Sequence, residues 1–218
     1  MRLDDVLKKH KLIAIIRNVS SEIIIDYTKA IINGGVNFFE VALNSPDSLK
    51  QISLLRKNFG DQCYIGAGTA ISVELAKKAI DAGAQFLLTP GTSESVFKYC
   101  ASNNIDLLPG VLTPTDVAVS LEYGFNTMNL FPAGDMPENY IKSLKGPFNQ
   151  TNYVAIGGVR PENIKQFLEE GYIGVGLSGS LMPKNAVAQK DWDACSHYIK
   201  NMVFQIREFQ EEKENDNA

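Results

Sequence analysis

The chain has 218 residues, 44% of them hydrophobic and 21% charged, with 17 Gly, 9 Pro, 3 Cys and a formal net charge of −4 at pH 7. That length supports one large domain or two small ones with a sizeable core, and the composition excludes collagenous and disordered classes. Residues 211–218 hold four acids and one lysine, so most of the net charge sits in a terminal stretch that reads as a solvated, disordered tail. The remaining body, 1–210, is nearly neutral and reads as a single domain. A strongly basic nucleic-acid surface is not expected, and small metabolites become the default partners.

Short apolar runs fall at 12–16 (LIAII), 38–43 (FFEVAL), 63–67, 86–88, 105–108, 127–131, 153–156 and 174–177. Helical periodicity fills the intervals 21–33, 47–58, 71–82, 93–103, 115–123, 137–145 and 161–170, with a last helix over 191–212. Residues 3–10 read as a short extra helix. Gly35, Gly83, Gly124 and Gly171 each close a helix shortly before a strand, the natural place for a left-handed residue. Eight strand–helix units with continuously apolar strands predict a parallel sheet covered by helices, closed into a (β/α)8 TIM barrel, with the N-terminal helix capping its base. An open doubly wound sheet is the alternative, but no GxGxxG follows the first strand.

Cys63, Cys100 and Cys195 are far apart, odd in number and outside any CxxC pair, which argues against a disulfide framework and for a reducing compartment. The first apolar run is too short for a signal core or a membrane span, so a cytoplasmic protein is expected. His10 and His197 fall on outer helices and no metal-ligand cluster gathers at the strand ends, so neither a metal nor another cofactor is expected.

In a barrel of this kind reactive groups gather at the C-terminal ends of the strands. Glu40 is a carboxylate inside an otherwise apolar strand. Burial there demands a partner, protonation or a polar cavity, and a raised pKa suits a general acid/base. The competing reading is an ion pair with Arg17 on the neighbouring strand. The loops AIGGVRPEN and LSGSLMP place Gly157, Gly158, Gly179 and Ser180 after the last two strands, where freed backbone N–H groups suit a phosphate. The same glycines also permit tight turns without any ligand. GAGT, TPG and LPG end three further strands with small or rigid residues, Thr69 and Pro90 among them.

Seven motifs, EVALNSP, IGAGTA, LLTPGTSE, LLPGVLTP, LFPAG, VAIGGVRPEN and GLSGSLMP, run in strand order over about residues 10–185. In that order they resemble the 2-keto-3-deoxy-6-phosphogluconate (KDPG) and 4-hydroxy-2-oxoglutarate aldolases. EVALNSP, with Asn44, is closer to the phosphogalactonate branch. The resemblance implies a homotrimeric TIM barrel that reversibly cleaves a phosphorylated 2-keto-3-deoxy sugar acid to pyruvate and glyceraldehyde 3-phosphate through a lysine Schiff base. It assigns proton transfer to Glu40, the substrate carboxylate to Arg17, and the pocket to Asn44, Thr69, Pro90 and Phe131. Phosphate falls to Gly157, Gly158, Gly179 and Ser180. The sequence departs from the family at TMNLFPAG, where Asn129 occupies the Schiff-base position, and an amide forms no iminium with a ketone. Of sixteen lysines only Lys184, just beyond Ser180, falls near the mouth. Ile156 is a second departure and makes the pocket more apolar. Four readings stay open: a lyase acting on keto sugar acids, a non-covalent enolising or isomerising enzyme, a keto-acid binder, and an engineered Lys-to-Asn variant.

Overall fold

A computed structural model describes residues 3–216. Nine strands, all parallel, form one sheet: β1 (Leu12–Ile16), β2 (Phe38–Ala42), β3 (Tyr64–Gly68), β4 (Leu87–Leu88), β5 (Leu107–Leu108), β6 (Gly110–Val111), β7 (Thr127–Leu130), β8 (Asn152–Ile156) and β9 (Gly174–Leu177). Neighbours run β5-β4-β3-β2-β1-β9-β8-β7-β6, so the two ends of the sheet are β5 and β6, joined only through Pro109. The barrel is therefore nearly closed. The expected eighth strand count holds once β5 and β6 are taken as one strand that proline interrupts, because Pro109 has no N–H for the ladder. Its carbonyl still accepts from the Asn129 N–H at 2.8 Å.

Helices α1 (Leu3–Lys9), α2 (Ile24–Asn33), α3 (Ser48–Phe59), α4 (Val73–Asp81), α5 (Glu94–Ser102), α6 (Pro114–Glu122), α7 (Tyr140–Lys145), α8 (Ile164–Glu169), α9 (Lys184–Gln189) and α10 (Trp192–Asp216) complete the chain. Gly35, Gly83, Gly124 and Gly171 take φ of +97°, +102°, +83° and +97°, as their helix-stopping role requires. Two differences from the sequence reading concern the C-terminal part. The short α9, starting behind Pro183, has no counterpart in the expected elements. Residues 211–216, expected as part of a disordered tail, continue α10, and Glu and Lys are good helix formers; 217 and 218 lie outside the described residues.

Alternate residues of each strand face opposite ways. Ala14, Ile16, Phe39, Val41, Ile65, Ala67, Met128, Leu130, Ala155 and Leu177 belong to the outer core under the helices. Ile13, Ile15, Phe38, Tyr64, Phe86, Leu88, Leu108, Val154 and Ile156 fill the interior together with Leu3, Val6 and Leu7 of α1. The N-terminal helix thus plugs the barrel base. Phe38, Tyr64 and Phe86 pack there with ring centroids 5.1–5.9 Å apart. Asp106 Oδ2 accepts from the Leu3 N–H at 2.8 Å and from the Tyr64 hydroxyl at 3.0 Å, which anchors the plug. The opposite, C-terminal end of the strands is left for chemistry.

Candidate active site

Glu40 lies on β2 beside Ile15 of β1 and Gly66 of β3 in register, with its side chain turned to the interior. It is 2% exposed. A Cβ on Gly68 would collide with its carboxylate, so glycine at 68 is what gives this side chain room. Oε2 has no hydrogen-bond partner. Burial pushes the carboxyl up to about 7, and the positive charge of Arg17 opposes that rise only in part. The ion pair with Arg17 that competed with a catalytic reading does not form: Arg17 is exposed and has no carboxylate within bonding distance among the described residues.

Asn129 comes from β7, four strand positions around the ring from β2, and its side chain is fully buried. Nδ2 donates to the Thr89 carbonyl at 3.1 Å. Because a carbonyl can only accept, that contact sets which way the amide faces, and Oδ1 is left without a partner. Thr89 also fixes the neighbouring strand, its hydroxyl accepting from the Gly110 N–H at 2.9 Å. The sequence places Thr89 beside Pro90 at a strand end but assigns a role only to Pro90, whereas Thr89 contributes one backbone and one side-chain oxygen. The only usable signal was a hydroxyl next to a proline at a strand end. No described lysine side chain is buried, and Lys184 sits exposed at the start of α9.

The remaining candidates ring this centre. Thr69 follows β3 with φ +62°, a left-handed conformation that a β-branched residue rarely adopts. Pro90 is half-buried after β4, Asn44 is exposed after β2, and Ile156 ends β8 in the interior wall. Phe131 is 38% exposed, and a Cβ on Gly157 would stand 3.0 Å from its ring. Gly157 and Gly158 have φ of +86° and +73°. The Gly134 N–H donates to the Gly157 carbonyl at 2.8 Å, tying the loop after β7 to the loop after β8. The Ser180 hydroxyl donates to the Val159 carbonyl at 3.0 Å and brings the loop after β9 to the same place. Asn163 braces the turn, donating to the Gly158 carbonyl at 3.1 Å and accepting from the Arg160 N–H at 2.8 Å. Gly134 and Asn163 were not singled out as site residues from the sequence. Gly179 faces open space, with nothing within 4 Å of where a Cβ would stand.

The structure thus joins Phe131, Gly157, Gly158 and Ser180 through contacts, and sets two partnerless oxygens, on Glu40 and Asn129, inside the same barrel. A cavity of about 900 Å³ lies instead at the base, around Tyr64 and Asp106, and does not touch these residues.

Residues 3–198 match the family described as KDPG and KHG aldolase. The chain belongs to that family. It is 30% identical over 193 residues to the 2-dehydro-3-deoxy-6-phosphogalactonate aldolase of Escherichia coli (strain K12), covering 88% of this chain and 94% of that enzyme. The KDPG aldolase of Legionella pneumophila, solved with pyruvate captured as a covalent carbinolamine intermediate, superposes with a TM-score of 0.83 at 27% identity, covering 90% and 96% of the two chains. A cube-shaped porous cage designed by fusing symmetric oligomeric domains gives a TM-score of 0.86 at 30% identity over 96% of this chain and 76% of that one. Aldolases are lyases, so the chain belongs to a family of enzymes used for carbon–carbon chemistry.

Proposed function

We propose that the protein binds a phosphorylated 2-keto-3-deoxy sugar acid, or pyruvate as its three-carbon part, at the barrel mouth, and that Glu40 moves a proton next to the keto carbon without a covalent link. The observation that carries this is Glu40 itself: a fully buried carboxyl with one partnerless oxygen and a pKa near 7 is poised to take and return a proton at neutral pH. Ionised Glu40 takes a proton from the carbon beside the keto group. The C–H electrons move into the enolate, whose oxygen accepts from the second N–H of the Asn129 amide, and the Glu40 carboxyl then returns a solvent-exchanged proton to that carbon. Arg17 meets the carboxylate. Asn44, Thr69, Pro90 and Phe131 shape the pocket, and the backbone of Gly157, Gly158, Gly179 and Ser180 holds the phosphate. Cleavage to pyruvate and glyceraldehyde 3-phosphate, the reaction the sequence motifs imply, loses its electron sink with the lysine. Removing the covalent nucleophile of a serine protease costs on the order of 10⁶-fold, and a loss on that scale makes cleavage slow while proton exchange outlasts it.

Incubation with pyruvate and borohydride, read by mass spectrometry, is expected to give no adduct, while NMR shows exchange of the pyruvate methyl protons that Glu40→Gln abolishes. Asn129→Lys is expected to gain both the adduct and pyruvate release. An adduct on the unaltered chain, or no methyl exchange, overturns the reading. The same proposal places the protein in the cytoplasm as a homotrimer, in keeping with three unpaired, buried cysteines and with a structural relative built from symmetric oligomeric domains. Light scattering on the purified chain tests the trimer.

A further inference from the structure

Far from the mouth, at the N-terminal end of the strands, a group of cations gathers that the chemistry above does not use. Lys9 at the end of α1, His10 and Lys11 leading into β1, and Arg207 on α10 line one hollow of about 50 Å³. Among the described residues none of the four has a carboxylate within 4.0 Å; the ion pairs that do form, Lys50–Asp47, Lys78–Glu74 and Lys165–Glu212, all lie elsewhere. On a chain whose net charge is −4, such a gathering is not a by-product of general basicity. His10 is half-buried and its pKa is lowered, first by burial and then by Lys9 and Arg207, with no acid among the groups that shift it. Burial lowers Lys11 as well. The carbonyl end of α2 borders the hollow at Gly35, but a helix terminus supplies only about half a negative charge against three full positive ones.

A second, wider hollow of about 430 Å³ shares Gly35, Val203 and Arg207 with the first. Phe204 lines it with 60% of its surface exposed, beside Asn33, Lys200 and Asn201. The small hollow is scaled to a single anionic group and the wide one to something flat and larger. We propose that this face binds a small phosphomonoester that carries a ring, with the phosphate among Lys9, His10, Lys11 and Arg207 and the ring against Phe204. Unpaired cations supply the charge-assisted bonds, and an exposed aromatic face supplies stacking, worth about tenfold in affinity.

The chain has two histidines, so NMR of their ring protons reads the site directly. Titration with inorganic phosphate is expected to raise the His10 pKa by about one unit, the effect of an opposite charge nearby, and to leave His197 unmoved. Adenosine 5′-monophosphate should do the same at about tenfold lower concentration, whereas adenosine alone should leave the His10 pKa where it was. Arg207→Gln and, independently, Lys9→Gln weaken both phosphate ligands; Phe204→Ala brings the nucleotide down to the level of inorganic phosphate and leaves the latter unchanged. If saturating phosphate does not move His10 in the folded protein, the site is overturned. A nucleotide no tighter than phosphate overturns the ring component. Phosphate bound at the Gly157–Gly158 loop would not move His10, so the result is independent of the function proposed for the mouth.

Discussion

At the base of the barrel Asp106 accepts from Leu3 and Tyr64, Gln85 accepts from the Ile65 N–H at 2.9 Å, and three aromatic rings fill the space between. At the mouth of the same barrel Glu40 and Asn129 are just as deeply buried, yet each keeps one oxygen with no partner. Around α1 these bonds and the packed rings anchor the plug, although Asn37 Oδ1 at the start of β2 has no partner and a cavity of about 900 Å³ lies beside Tyr64 and Asp106. Partnerless polar atoms in a low dielectric are costly to the fold, and under the proposed function a ligand provides the missing bonds at the mouth. The contrast separates stability from chemistry along one axis of one molecule.

The largest expected effect tests the base. Phe86 is fully buried against Phe38 and Tyr64, so Phe86→Ala should lower unfolding free energy by about 3–5 kcal/mol in denaturant titrations. Methyl exchange of pyruvate, measured at a temperature where the variant is folded, should persist. If exchange disappears while the fold remains, the two ends are not separable. A smaller effect tests the mouth. The Glu40 carboxyl moves from 4.5 to about 7 on folding. A raised acid pKa means that the folded state holds its proton more tightly, so this contribution is complete below about pH 4.5 and is lost as pH rises to 7. Relative to Glu40→Gln, the unaltered protein should therefore lose about 3 kcal/mol of stability between pH 4.5 and 7, with no further change above. Parallel stability curves for the two proteins would show that Glu40 finds a partner or stays solvated.

The base was more legible in the sequence than the mouth. Strands buried on both faces read as apolar runs, which is why LIAII and FFEVAL fall where β1 and β2 do, and why Glu40 stood out as a charge among hydrophobes. The amphipathic start of the chain announced α1 as a plug. Asn129 was readable only through its place in a family motif, because one amide in a strand carries no signal of its own. Thr89 was given no role of its own because its contact to Asn129 runs through a backbone carbonyl, which is the same in every residue. Extension of α10 through the acidic residues was missed because a solvated charge run is compatible with helix as well as with coil. The cation hollow joins the two ends of the chain, and spacing along the sequence says nothing about such a meeting.

Backbone strain offers the smallest and sharpest comparison. Beside the base cavity Asn104 holds φ +53°, and asparagine tolerates that region because its short side chain can bond locally. At the mouth Thr69 holds φ +62°, and it is the only β-branched residue among the described non-glycine residues with positive φ. Its carbonyl accepts from the Ile71 N–H at 2.9 Å, which keeps the turn tight directly after Gly68, the residue that makes room for Glu40. Thr69→Asn should relieve the strain and raise stability by about 1 kcal/mol, the lower end of what such conformations cost. If the threonine methyl and hydroxyl shape the pyruvate pocket, the same change weakens pyruvate binding several-fold in calorimetry. Stability that rises while binding is untouched would make Thr69 a structural accident of the turn, and the mouth would then resemble the base more than its partnerless oxygens imply.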